Sequence, residues 1–241
     1  MEISKLSKLI TPSGTMAISN KARILREQGK PVIGFGAGEP DFPTPEYVVK
    51  DVQVAAEDTS NHKYSPVAGL TILKEEIVRT SKLYSGINVQ QENILVSNGG
   101  KHAILTTFMS ILNPGDEVLI PSPYWTTYPE AVKISGGNPV IVDTEFDDDF
   151  KVNTDQLDAL KTSKTKILVW VSPSNPTGVV YTKEEAEKIY NWAFENNVWI
   201  LSDELYEHLV YEGMTSPSPA QYDTELNNTI IINGVAKAYS M

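Results

Sequence analysis

Short apolar runs alternate with longer periodic runs along the chain from about residue 90 onward. The short runs are rich in β-branched residues and nearly unbroken in apolarity, as strands covered on both faces are. They occupy residues 94–96, 117–120, 140–142, 167–171, 198–201 and 229–232. Between them, apolar residues recur at helical spacing, for example over residues 103–112 before the Asn113-Pro114-Gly115 turn. This alternation predicts an α/β fold built on a mostly parallel sheet.

Two helix starts carry capping signals. Thr182 and Glu185 have the spacing of a capping box before an apolar periodic run. Thr44 and Pro45 fit the N-cap and first helical position of a helix that runs toward Asp58. The glycines and prolines of residues 1–45 predict instead an arm or lid segment without a long element.

Composition narrows the function classes. With 241 residues, of which 41% are hydrophobic and 21% charged, the chain is long enough for one to two globular domains. A net charge of −11 disfavours nucleic acid and anionic lipid as partners. The absence of cysteine excludes thiol chemistry, and no apolar run approaches the length of a membrane span. We expect a cytoplasmic protein that does not enter the membrane.

The candidate chemistry lies where strands end, which is where ligands bind in open α/β sheets. Gly99 and Gly100 open a helix beside a lysine, which suits a phosphate, although a plain turn has the same sequence. Each other residue also has an ordinary structural explanation when taken alone. Together they place an aromatic, an amide, a carboxylate, a phenol and an amine at one sheet edge: Trp125, Asn175, Asp203, Tyr206 and Lys237.

The ordered set of motifs resembles the class I aspartate aminotransferases, which are pyridoxal-phosphate enzymes of fold type I. The motifs span nearly the whole chain: Gly-Glu-Pro-Asp-Phe (38–42), Tyr-Ser-Pro-Val-Ala-Gly-Leu (64–70), Ser-Asn-Gly-Gly-Lys (97–101), Pro-Gly-Asp-Glu-Val (114–118), Ser-Pro-Tyr-Trp (122–125), Asn-Pro-Thr-Gly (175–178), Ser-Asp-Glu-Leu-Tyr (202–206) and Asn-Gly-Val-Ala-Lys-Ala-Tyr (233–239). The resemblance implies a mostly parallel sheet sandwiched by helices. It also implies exchange of an amino group between an aspartate- or glutamate-like amino acid and a 2-oxo acid.

The same resemblance assigns roles around pyridoxal 5'-phosphate. It implies that Lys237 forms the Schiff base with the cofactor and then shuttles the substrate α-proton. Asp203 would keep the ring nitrogen protonated, so that the ring acts as an electron sink. Tyr206 and Asn175 would hydrogen-bond the phenolate oxygen of the cofactor, and Trp125 would stack on its ring.

The phosphate and substrate contacts are implied in the same way. Gly99, Gly100 and Lys101 resemble the phosphate-side loop, although Lys101 is equally compatible with reading an acidic substrate side chain. Tyr64 resembles a tyrosine that reaches the cofactor phosphate of a neighbouring subunit, which implies a homodimer with shared active sites. The residues implied to bind substrate are Gly38, Trp125, Asn175 and Lys101.

Some features depart from the resembled pattern. The chain ends at Met241, four residues after Lys237, where the family continues with an arginine and an antiparallel strand. We therefore expect a fragment of a longer polypeptide, with a truncated chain that lacks catalysis as the alternative. The expected organisation is an arm and small-domain segment over residues 1–45 and an incomplete cofactor-binding domain over residues 46–241. A lyase that uses the same cofactor is a second alternative, and no metal site is expected because no second histidine has ligand spacing.

Overall fold

A five-stranded parallel sheet forms the centre of the computed structural model, which describes residues 2–12, 14–36 and 38–241. The strands lie in the order β2-β1-β3-β4-β5, and all neighbouring pairs are parallel. Their bounds are Glu117–Pro121 for β1, Asn138–Val142 for β2, Thr165–Val171 for β3, Trp199–Asp203 for β4 and Thr229–Ile232 for β5. Five of the six predicted strands are thus confirmed.

Helices cover both faces of this sheet. Their bounds are Gly14–Glu27 for α1, Glu46–Glu57 for α2, Thr71–Thr80 for α3, Gly100–Ile111 for α4, Thr127–Ile134 for α5, Thr154–Leu160 for α6, Lys183–Glu195 for α7 and Val235–Ala238 for α8. Apolar residues of α4 and α5 pack on one face, and those of α6 and α7 pack on the other. The predicted parallel sheet sandwiched by helices is therefore confirmed. No helix in the described residues is long and apolar enough to span a bilayer.

Alternate residues of the central strands supply the two cores. In β3, Leu168 and Trp170 face α7, whereas Ile167 and Val169 face α4 and α5. This follows from the two-residue repeat of a strand, which sends successive side chains to opposite faces. Burial of one such side chain stabilises the fold by about 2 kcal/mol. The near-continuous apolarity of these strands is therefore the consequence of two covered faces.

The run at residues 94–96 does not form the predicted strand. Its backbone is extended at Ile94, but the Val96 N–H donates to the Ala68 carbonyl oxygen over 3.1 Å instead of joining a ladder. Leu95 is largely exposed. An apolar β-branched run becomes a strand only when a neighbouring strand completes its hydrogen bonds. No described strand lies beside this run, so the strand prediction was wrong here.

The N-terminal segment differs from expectation in two places. The 14-residue helix α1 forms in the region where we predicted no long element, because its glycines stand at the helix ends: Gly14 is its first residue, and Gly29 follows it with φ of 75°. Helix α2 forms as predicted, but its cap differs. Pro45 is the N-cap, since its ψ of 139° is not helical, and the Thr44 hydroxyl donates to the Ser240 carbonyl oxygen over 2.5 Å.

Candidate active site

A narrow cleft lies at the carboxyl ends of β1 and β3. Strand β2 lies on one side of β1 and β3 on the other, so the direction of strand addition reverses here. A crevice forms at such a point because the two connecting segments leave in opposite directions. Pro121, Pro123 and Tyr124 line it from the β1 side, and Val171 and Asn175 line it from the β3 side. Asn175 therefore lies where a ligand of this fold class is expected.

Asp203 ends β4 with its carboxylate buried. The residue is only 4% exposed, and its Oδ2 accepts a hydrogen bond of 2.6 Å from the Tyr128 hydroxyl. The Leu205 N–H donates to Oδ1 over 3.3 Å. Burial raises the pKa of Asp203, and these two hydrogen bonds oppose that rise. Across the described residues no cation lies within ion-pair distance of this carboxyl group, so no protein cation balances its charge.

Tyr128 is a site residue that sequence reasoning missed. It lies in α5 with its side chain almost fully buried. Burial and the adjacent Asp203 raise its pKa well above the usual value, so the hydroxyl stays protonated and donates. Its ring meets the Trp125 ring edge to face, with centroids 5.6 Å apart. Trp125 lies two residues before α5, and its three-residue separation from Tyr128 was the available signal.

Trp125 joins Lys101 to this group. The Lys101 ammonium lies 5.2 Å from the centroid of the Trp125 ring, which is within cation–π range. Lys101 itself is exposed. The structure therefore brings the predicted phosphate-side lysine and the predicted stacking aromatic into contact.

Lys237 lies in α8, directly after the edge strand β5. Its Nζ donates to the Gly38 carbonyl oxygen over 2.9 Å and lies 5.6 Å from the centroid of the Tyr206 ring. Three of the predicted site residues, Lys237, Gly38 and Tyr206, are thus brought together from segments far apart in the chain. The amine is partly exposed and has one hydrogen bond to protein, which leaves it accessible.

Leu205 connects the Asp203 and Lys237 groups. It follows β4 and packs against two glycines, Gly100 at the start of α4 and Gly234 before α8. A Cβ at Gly100 would lie 2.7 Å from Leu205 Cδ1, and one at Gly234 would lie 3.2 Å from Cδ2. The Leu205 side chain thus fills the space beside both glycines, and it would have to shift to make room for a Cβ at position 100.

The start of α4 is open toward the site. Gly99 has φ of 82° and open space around its Cα, and the N–H groups of Gly100 and Lys101 have no acceptor among the described residues. The first N–H groups of a helix lack intrahelical partners and carry partial positive charge, which attracts an anion. Two N–H groups and the Lys101 ammonium can thus receive a phosphate.

Tyr64 is not brought to the site within this chain. Its side chain is fully exposed, and none of the described contacts joins it to the other predicted site residues. His62, His102 and His208 are also separate from one another, with partners in their own neighbourhoods. No group of three or more metal-binding side chains occurs within residues 2–12, 14–36 and 38–241.

The chemistry of these groups defines a ligand. A cation would stabilise the buried Asp203 carboxylate, and an anion would bind favourably at the open start of α4. Trp125 offers an aromatic ring nearby, and Lys237 offers an accessible amine. These residues can therefore bind a ligand that carries both a cationic and an anionic group.

Comparisons with known proteins point to one family. A family model described as aminotransferase class I and II matches residues 30–241. The chain is 48% identical over 233 residues to an aspartate aminotransferase of Streptomyces avermitilis, covering 96% of this chain and 57% of that protein. It is 46% identical over 235 residues to an aspartate aminotransferase of Bacillus sp. strain YM-2, covering 97% of this chain and 60% of that protein.

A solved structure shares the fold. An aspartate aminotransferase of Thermus thermophilus, solved with maleate, superposes with a TM-score of 0.93 at 40% sequence identity. The match covers 100% of this chain and 62% of that one. The chain therefore spans about 60% of the length of the relatives it matches.

Proposed function

The chain belongs to the class I and II aminotransferase family, and on that premise we propose that it binds pyridoxal 5'-phosphate and exchanges an amino group between an amino acid and a 2-oxo acid. The observation that carries this proposal is the pair formed by Asp203 and Lys237. A buried carboxylate without a cation ends β4, and an accessible amine follows β5, the strand that pairs with β4. They suit the ring nitrogen and the aldehyde of the cofactor, respectively.

Asp203 would hold the proton of the ring nitrogen. Its carboxylate is fixed by the Tyr128 hydroxyl and the Leu205 N–H, so it is oriented before the ligand arrives. A protonated ring nitrogen would supply the missing cation and lower the pKa of Asp203. When bound, the pyridoxal ring supplies an electron sink for negative charge at the substrate α-carbon. The role of Asp203 is to keep that sink cationic.

Lys237 would supply the amine that takes up the cofactor aldehyde and then carries the substrate α-proton. Its single hydrogen bond goes to the Gly38 carbonyl oxygen, and no carboxylate in the described residues lies within ion-pair distance of it, so the amine is free to move. The neighbouring Tyr206 ring lies below this ammonium and would direct its own hydroxyl, together with the Asn175 amide, to the phenolate oxygen of the cofactor.

The remaining proposed contacts are with the cofactor phosphate, the cofactor ring and the substrate. Gly99, Gly100 and Lys101 would receive the phosphate at the start of α4, and Trp125 would stack on the ring. Gly38 and Lys101 would contact substrate, together with Trp125 and Asn175. Lys101 would contact either the phosphate or an acidic substrate side chain.

The proposed substrate is an amino acid with an acidic side chain, such as aspartate or glutamate. The support is that both relatives are named aspartate aminotransferases and that the Thermus protein was solved with maleate, a dicarboxylate. We further propose a homodimer in the cytoplasm, in which the exposed Tyr64 reaches the cofactor phosphate of the partner. Residues 1–45 would form the arm and small-domain segment, and residues 46–241 would belong to the cofactor-binding domain.

The proposal is tested by adding pyridoxal phosphate to the purified protein. We expect visible absorbance from bound cofactor and, after borohydride reduction, a covalent adduct at Lys237. Aspartate should then change that absorbance with release of the corresponding 2-oxo acid. Release of a different product would indicate a lyase, and the absence of both absorbance and adduct would indicate a chain without catalysis.

A further inference from the structure

Glu204 is a second buried carboxyl group that the proposed reaction does not use. It directly follows Asp203 and is only 3% exposed. Its Oε1 accepts hydrogen bonds of 2.6 Å from the Ser202 hydroxyl and 2.5 Å from the Ser218 hydroxyl. No lysine, arginine or histidine in the described part of the chain lies within ion-pair distance of it. Burying a carboxyl group without a cation reduces the stability of the fold, so we expect Glu204 to have a specific role.

The two serines connect Glu204 to a separate segment. Ser218 begins the turn Pro219–Gln221, and its hydroxyl accepts from the Ala220 N–H over 3.1 Å while donating to Glu204. Residues 217–220 are all buried. We define residues 216–220 as the serine strap. The strap lies beside the end of β4 and is hydrogen-bonded there to Oε1 of Glu204.

The serine strap also reaches the end of β3. The Ser216 hydroxyl donates to the Ser172 carbonyl oxygen over 3.0 Å, and the two serine hydroxyls lie 3.3 Å apart. Ser172 begins the loop that carries Asn175, and its hydroxyl accepts from the Tyr181 N–H over 3.3 Å. The serine strap thus joins the loop that carries Asn175 to the end of β4 that carries Asp203.

The backbone of Glu204 also forms part of the turn that leads to Tyr206. Its own N–H donates to the Ile232 carbonyl oxygen over 2.9 Å, which continues the β4–β5 ladder by one residue. Its carbonyl oxygen accepts from the Glu207 N–H over 2.9 Å, which closes the turn. A rotation of this backbone would displace both Asp203 and Tyr206, and the side-chain hydrogen bonds of Glu204 with Ser202 and Ser218 oppose such a rotation.

We propose that Glu204 is a positioning residue, which fixes the serine strap to the end of β4 through Ser202 and Ser218 and so holds Asp203 and Tyr206 in the orientation that the cofactor needs. The inference rests on the proposed function for its link to the cofactor. The groups that face Glu204 are Asp203 and Glu207, both acidic, and the two serine hydroxyls. Burial raises the pKa of Glu204 to about 7, and the serine hydrogen bonds oppose the rise.

The test compares three variants with a matched control. Glu204→Ala removes the acceptor oxygen, Glu204→Gln retains it without the charge, and Ser218→Ala removes one donor. The control is Glu117→Ala at the opposite end of the sheet, where a carboxyl oxygen also accepts from two hydroxyls, those of Thr162 and Thr165. The two readouts are the dissociation constant for pyridoxal phosphate and amide hydrogen exchange of residues 201–209 in the cofactor-free protein.

We expect Glu204→Ala to weaken cofactor binding about tenfold or more and to speed exchange over residues 201–209, since a buried hydrogen-bond network is lost. Ser218→Ala should show a smaller change of the same kind, and it also covers the case in which Glu204→Ala does not fold. Glu204→Gln should bind within about threefold of the unchanged protein because its oxygen still accepts. Glu117→Ala should leave both readouts over this segment unchanged.

Three outcomes would overturn the proposal: unchanged binding and exchange in Glu204→Ala and Ser218→Ala, an equal effect in Glu117→Ala, or a Gln variant as impaired as the Ala variant. A Gln variant as impaired as the Ala variant would show that the charge of Glu204 matters, and not its acceptor oxygen. If the unchanged protein takes up no cofactor, the proposed function fails instead. The exchange measurement then still decides whether Glu204 holds this turn.

Discussion

The two ends of the proposed cofactor site are built in opposite ways. Asp203 is buried and held by the Tyr128 hydroxyl and the Leu205 N–H, so its position is set by the fold. Lys237 is partly exposed and makes one hydrogen bond, to the Gly38 carbonyl oxygen. A charge that only stabilises is best fixed in advance, whereas an amine that forms a bond and moves a proton must be able to leave its place. We therefore expect substitutions at the two ends to affect the free energy of unfolding and the reaction with the cofactor to different extents.

The strongest test of this contrast is Lys237→Ala. We expect complete loss of the covalent adduct with pyridoxal phosphate, because no other amine is placed beside Tyr206 in the described residues. The free energy of unfolding should change by less than about 1 kcal/mol, since only one exposed hydrogen bond is lost. Mass spectrometry after borohydride reduction and urea unfolding measure the two quantities. An adduct that persists in the variant would break the assignment of Lys237.

The second test is Asp203→Ala at the fixed end. Cofactor binding should become weaker yet remain detectable, because the phosphate and amine contacts are retained. Exchange of the substrate α-proton with solvent should slow by roughly 100-fold, the effect expected when a preorganised charge is removed. Cofactor titration and deuterium exchange at the α-carbon measure these effects. Near-normal exchange would show that Asp203 is not needed for the electron sink.

The third test uses pH, because the fixed end carries carboxyl groups whose pKa is raised. Glu204 has a pKa of about 7 in the folded protein against an ordinary value of 4.5, so the folded state binds its proton more tightly than the unfolded state does. Its contribution to stability is therefore complete below pH 4.5 and declines as the pH rises through about 7. The difference between these two pKa values corresponds to a loss of about 3 kcal/mol in the free energy of unfolding. The pKa of Asp203 is also raised, so its contribution to the free energy of unfolding likewise declines as the pH rises.

Urea unfolding of the cofactor-free protein between pH 4.5 and pH 8 measures this decline. Glu204→Gln cannot ionise and should flatten the pH dependence, while Lys237→Ala should leave it as it is. An equally steep decline in the Gln variant would assign the effect to other groups.

The smallest expected effect is that of Tyr128→Phe. The substitution leaves Asp203 Oδ2 buried without its 2.6 Å donor, which should cost about 1–2 kcal/mol in the free energy of unfolding. Cofactor binding should weaken only severalfold, because the ring cation can still pair with the carboxylate. Thr127→Ala, one residue earlier in α5, is a suitable control. A Phe variant as stable as the unchanged protein would mean that Asp203 is not held by this hydroxyl.

Local patterns predicted the parts of the fold that depend on neighbours in sequence. Strand β5 has the predicted bounds, Thr229–Ile232, and the Thr182–Glu185 capping box is present at the start of α7. The order of the site residues after the strands was also readable, because parallel strands send their carboxyl ends to one edge. These signals lie within a few residues of the structure that they indicate.

The features that were missed depend on partners far away in the chain. Residues 94–96 have strand composition, but no described strand lies beside them, and the Thr44 hydroxyl bonds a carbonyl 196 residues later instead of capping α2. Tyr128 and Glu204 are ordinary residues in sequence, and only burial beside Asp203 and the serines gives them a role. Pairings of this kind become visible only in three dimensions.

The hydrogen bond between Lys237 and Gly38 joins residues 199 positions apart, and this has a consequence for the order of folding. All strand pairs of the sheet are parallel and therefore non-local, so they close large loops and form slowly. As the chain leaves the ribosome, Gly38 emerges long before β5 and the reactive amine. Covalent attachment of the cofactor would then require β5 to be in place, and its appearance over time would report when β5 has docked on β4.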